Sequence, residues 1–135
     1  MSIVQSIRPM PVLLEKDVSL AATSGTTVGI SVPAGVTVLA AGFQNYVVVA
    51  DVTTYTLDVT DGTTVFANDL NFDNTAANSN KGGVTPGFIA AADTIDVVTT
   101  ISGSPGIITG RVWALVVDCG AGTRTAATVD RDQLA

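Results

Sequence analysis

Histidine is absent from the 135-residue chain and cysteine occurs once, at position 119. Without an imidazole, every mechanism that needs a histidine base or histidine metal ligand is excluded. A lone thiol closes no internal disulfide, so the chain is not a stapled mini-domain, and Cys119 reads as a small apolar residue with nothing to activate it. Charge is sparse: 13% of residues, summing to −6, against roughly a quarter in ordinary soluble domains. Six cations do not track a phosphate backbone, so no nucleic-acid partner is expected. Aromatics number seven: Phe43, Phe66, Phe72, Phe88, Tyr46, Tyr55 and Trp113. Long apolar runs are missing too. The 33 uncharged positions from Val18 to Ala50 are broken by Ser, Thr, Gly, Pro, Asn and Gln, which excludes a membrane-spanning helix, and no membrane partner is expected. The N-terminus lacks the basic start, apolar run and small-residue cleavage site of a signal peptide, so the expectation is a soluble product made in the cytoplasm.

What the chain does have is 20 Val and 19 Thr, β-branched residues that suit a pleated surface and lose rotamer freedom in helices. The length fits one domain. Period-two alternation recurs between turn residues, the pattern of a sandwich of short strands. Strands are predicted over 18–22, 27–32 with Val28, Ile30 and Val32 on one face, and 36–41. A further apolar run covers 46–52, with Gly42 as a break or as a bulge in one long strand. The clearest alternation runs from Thr54 to Thr60, with Tyr55, Leu57 and Val59 facing one way. Asp61-Gly62 then reads as a tight hairpin into 63–67. Residues 68–83 form a long polar loop expected on the outside. Strands resume at 87–91 and 93–101.

The last predicted strand, 107–118, is apolar on both faces. Ile108, Val112, Ala114 and Val116 share one face, and Ile107, Trp113, Leu115 and Val117 share the other. Either the second face meets another subunit or a tail, or the strand lies centrally within its own chain. Residues 1–16, with Pro9 and Pro11 opposing regular structure, and residues 119–135, rich in Gly, Ala and Thr, are expected to be extended arms flanking a 17–118 sandwich. The N-terminal arm carries apolar residues that cost free energy in water, so it is expected to dock.

No site for chemistry emerges. Lys16 and Lys81 fall in arm and loop, where a buried Ser-Lys pair is not expected. Asp51, Asp58, Asp61, Asp93 and Asp96 sit where Asp serves local hydrogen bonds. Asp69-Leu70-Asn71-Phe72-Asp73 matches the opening of a calcium loop, but the sixth and twelfth positions are Asn74 and Asn80 instead of Gly and Glu. Gly120-Ala121-Gly122 is only a fragment of a phosphate-binding sequence. No catalytic residue, cofactor or metal is expected, and the chain does not read as an enzyme.

The ordered pattern VSLAATSGTTVGISVPAGVTVL, TYTLDVTDGTTVFA, AADTIDVVTT and GIITGRVWALVVD resembles the jelly-roll-type capsid decoration or cement proteins of tailed bacteriophages, and the related virion knob and fibre-head modules. The resemblance covers about residues 17–118. It implies an all-β, single antiparallel jelly-roll-like sandwich of about eight strands. It also implies a homotrimer on the outside of the phage head, made in the host cytoplasm, that stabilises contacts between major capsid subunits. The contact residues this points to are Ile3, Ile7, Leu13 and Leu14 in the N-terminal arm, Arg124 and Arg131 in the C-terminal arm, and Trp113 and Leu115 on the last strand. The alternative is a receptor- or glycan-binding knob or tail-fibre head. For that use Phe72, in the long polar loop, is the candidate aromatic.

Overall fold

The computed structural model describes residues 10–118. The candidate residues Ile3, Ile7, Arg124 and Arg131, and the lone Cys119, lie outside them. The described residues form nine strands: β1 Pro11–Leu20, β2 Gly25–Val32, β3 Val36–Asn45, β4 Val52–Thr60, β5 Val65–Asn71, β6 Asn80–Gly83, β7 Gly87–Ile89, β8 Asp93–Gly103 and β9 Ile108–Asp118. None of them includes a helix long and apolar enough to cross a membrane.

Every pairing is antiparallel. One sheet runs β1-β9-β3-β6, with β7 pairing β3 alongside β6, and the other runs β2-β8-β4-β5. Strands from opposite ends of the chain therefore lie side by side, β1 with β9 and β2 with β8, which is the jelly-roll order. Between the sheets the inward-facing side chains of both pack into one core. Phe43, Tyr55, Leu57, Phe66, Phe72, Ile95, Ile108 and Val112 are among its fully buried members. Period-two alternation placed Tyr55, Leu57 and Val59 inward on β4, and the structure does the same. At Asp61-Gly62 the hairpin forms as expected. Gly62 takes a φ of 92°, and Asp61 Oδ1 accepts the backbone N–H groups of Thr63 and Thr64 at 2.8 and 2.6 Å.

Four sequence expectations are corrected. Residues 11–16, placed in the arm, belong to β1 and pair with β9 from Pro11↔Val117 onward. Pro11 is tolerated because it is the first residue of an edge strand, where no ladder donor is lost. A bulge between Thr27 and Ile30 turns Val28 outward and 58% exposed, because one extra residue shifts the alternation by one position. In β3 the strand runs unbroken through Gly42, and the register shift falls between Val38 and Ala40. Tyr46 to Asp51 is the crossing to the other sheet, not a strand.

The fourth correction concerns 68–83. Its first residues extend β5, its last form β6, and Leu70 and Phe72 are buried. The connection between them is tied to the fully buried Asn45. The Asn45 amide donates to the Val47 and Ala76 carbonyls at 2.8 and 2.9 Å, and its oxygen accepts the Ser79 N–H at 2.8 Å. A polar side chain with its hydrogen bonds satisfied sits in a core at little cost. Here it replaces the regular ladder that the loop lacks.

Candidate functional site: the outer face of the five-stranded sheet

Strand β9 lies between β1 and β3, and its inner residues Ile108, Val112, Ala114 and Val116 are buried in the core. Its outer residues Trp113, Leu115 and Val117 are half-buried, while Ile107 lies just before the strand and is 66% exposed. The strand registers arrange the outer face in rows. Pro11, Val117, Thr37 and Phe88 form one row, and Leu13 stands beside Leu115 in the next. Then come Glu15, Trp113, Gly42 and Gly82, followed by Asp17, Arg111, Gln44 and Asn80.

Trp113 reaches from β9 across two strands. A Cβ on Gly42 would lie 2.5 Å from its six-membered ring, and a Cβ on Gly82 2.6 Å, so only glycine at both positions lets the indole lie down on the sheet. Glycine inside a strand costs about 0.5–1 kcal/mol relative to alanine, and here two occur side by side. The ring is also held at its rim, where Nε1 donates to Asn80 Oδ1 at 2.7 Å. Beside it Arg111 Nη1 pairs with Glu15 Oε2 at 2.7 Å, and Nη2 donates to Gln44 Oε1 at 2.6 Å. The Arg111 Nε is buried with no partner among the described residues. A shallow depression of about 250 Å³ is bounded by Leu13, Glu15, Asn80, Arg111 and Trp113. A second, of about 320 Å³, continues along β1 to Asp17 and Tyr46. There the Tyr46 hydroxyl donates to Asp17 Oδ1 at 2.5 Å, and this bond to a carboxylate raises the phenol pKa above its usual value, with further contributions from desolvation and from the charges of Asp17 and Glu15.

The remaining candidates divide clearly. Leu13 stands on this face and is 53% exposed, whereas Leu14 points inward and packs against the core. Phe72 is not a surface aromatic. It is fully buried, with its ring edge-on to Phe43 at 5.7 Å between centroids, and it provides no stacking surface for a glycan. The missed signal was Asn45, whose anchoring of the loop a local reading does not reveal.

The lysines and acids are largely occupied with the chain's own backbone. Lys16 Nζ donates to the Gly29 carbonyl at 3.1 Å, and Lys81 Nζ donates to the Asn71 carbonyl while lying over the Phe72 ring. Asp73 accepts the Tyr55 N–H, Asp58 the Asp69 N–H at 2.7 Å and Asp93 the Thr94 N–H at 2.7 Å. Among the described residues no group of three or more His, Cys, Asp or Glu is placed to hold a metal ion.

No protein-family model matches the chain, and no curated protein does. Solved structures match in fold. A chain of the cyanophage Pam1 capsid asymmetric unit superposes with a TM-score of 0.62 at 13% identity, covering 84% of this chain and 88% of that one. A chain of the acidic stable capsid structure of Helicobacter pylori bacteriophage KHP30 superposes with a TM-score of 0.55 at 13% identity, covering 80% and 91%. At that identity the likeness is one of fold, and what it establishes is that this jelly-roll is similar, over nearly the whole length of each chain, to chains from two phage capsid structures.

Proposed function

We propose that the protein is a structural component of a phage virion, a decoration or cement protein that sits as a homotrimer on the outside of the head and reinforces contacts between major capsid subunits. The observation that supports this most is the near full-length fold likeness to chains of two phage capsid structures. The sequence pattern resembles proteins of the same class. The reading requires no catalytic residue, cofactor or metal.

The physical basis is linkage. A protein that binds the assembled shell but not its separated subunits stabilises the shell by mass action. Three contacts joined in one trimer act through effective concentration, so each is weak alone and the set is tight. The chain offers a contact strip where β1 begins and β9 ends, Pro11 pairing there with Val117. Pro11, Leu13, Leu115, Val117 and the 52% exposed Phe88 form that strip. Apolar side chains left in water favour such a contact by about 25 cal/mol for each Å² covered.

The test is to image the particle that carries this protein by cryo-electron microscopy and count its copies. Trimers over the shell with contacts through the strip are the expected result. A few copies at a tail tip transfer the protein to the receptor-binding class, and absence from any particle removes the viral reading.

A further inference from the structure

We propose that the outward face of the Trp113 indole is a stacking platform for one pyranose ring of an uncharged saccharide. Three features hold the ring in place: Gly42 and Gly82 beneath it, and Asn80 bonded to Nε1. Two adjacent glycines weaken a sheet locally and let another group approach closely. Here the approaching group is the half-buried Trp113 indole, which lines an open depression. A fixed, flat ring stacks without losing further side-chain freedom on binding.

The chemistry around the ring matches a sugar. One face of a pyranose is a set of C–H groups with slight positive charge, complementary to the negative face of an indole. Its hydroxyls need donors and acceptors at the rim. Trp113 uses only the oxygen of Asn80, and Arg111 uses only Oε2 of Glu15. The Asn80 NH2 and the second Glu15 oxygen therefore remain for a ligand among the described residues. Arg111, held by Glu15 and Gln44, fixes that carboxylate in place. The depression of about 250 Å³ is smaller than the 300–1,000 Å³ of sites for larger ligands, so it takes one ring of a longer chain. Arg111 is neutralised by Glu15, and Asp17 lies in the next row. This selects against sialic and uronic acids through like-charge repulsion.

Trp113 is the single tryptophan, so its emission reports on the site in the intact protein without a label. Acrylamide quenching of the native oligomer comes first. An accessible ring is expected, and a shielded one overturns the proposal and assigns Trp113 to a protein contact. Titration with maltotriose, triacetylchitotriose and lactose follows, with sialyllactose as the anionic comparison. The expected result is saturable change with at least one neutral sugar at millimolar concentration, and at least about tenfold weaker binding of sialyllactose than of lactose. By calorimetry, Trp113→Ala abolishes binding of the responding sugar. Asn80→Ala, whose fold circular dichroism checks, weakens it at least about fivefold. An accessible ring that responds to none of the neutral sugars up to about 50 mM overturns the proposal, as does a response that survives both substitutions.

Discussion

Outward positions of the four-stranded sheet include Thr26, Ser31, Thr54, Thr56, Asp58, Thr94 and Thr100, with Val98 between Thr26 and Asp58, whereas those of the five-stranded sheet include Leu13, Trp113, Leu115, Val117 and Phe88 around one ion pair. Both sheets use β-branched and aromatic residues, and both contribute inward to one core. Threonine keeps the strand preference of a β-branched side chain and still offers a hydroxyl to water. The Thr-rich face is therefore finished as it stands, in the manner of a solvated antiparallel sheet. The other face leaves Leu13 and Phe88 exposed beside a half-buried tryptophan, the kind of apolar patch that marks contact surfaces.

The largest expected effect comes from Gly42→Val, which drives a side chain into the Trp113 ring and the β6 backbone. A loss of about 3 kcal/mol is expected by urea unfolding, at the upper end of overpacking costs. Unchanged stability would mean the ring does not lie where the comparison needs it. Next is Tyr55, which faces inward from the Thr-rich sheet and is fully buried with its hydroxyl unpartnered. Burial pushes its pKa up to about 12, while the unfolded chain ionises near 10. The stability present below pH 10 is therefore lost as pH rises towards 12, by about 2–3 kcal/mol in all. Tyr55→Phe is expected to flatten that alkaline loss and to raise stability at pH 7 by about 1 kcal/mol, because an unsatisfied hydroxyl leaves the core.

Smaller still is Glu15→Gln, which removes the partner of Arg111 at a site about two-fifths exposed. Solvent screening limits the cost to under about 1 kcal/mol, and thermal melts in low and high salt should converge for the variant. At the bottom, Thr26→Val and Thr100→Val on the other sheet are expected to change stability by no more than about 0.5 kcal/mol. Co-sedimentation with the particle should be unchanged for them, whereas Phe88→Asp and Leu115→Asp, placed on the apolar strip, are expected to weaken it. Equal effects on both faces would erase the distinction.

Local pattern made the strands legible. Tyr55, Leu57 and Val59 alternate with threonine, and Asp61-Gly62 marks its own turn, so each assignment needs only neighbours in sequence. The bulges near Val28 and Leu39 escaped because one extra residue resets the period without a compositional mark. Pro11 misled because proline opposes a ladder only where a donor is required. The 68–83 segment misled because Asn45, more than twenty residues away, satisfies its backbone.

Composition and alternation alone determined that this is an all-β chain without histidine chemistry, with an inward apolar set and a last strand apolar on both sides. Only the tertiary structure decided that β9 pairs with β1 and β3, that Phe72 is interior, and that Trp113 lies across Gly42 and Gly82 beside Arg111 and Glu15. The physical reason is that side-chain alternation is a property of consecutive residues, whereas the neighbours across a sheet are set by register between strands far apart in the chain.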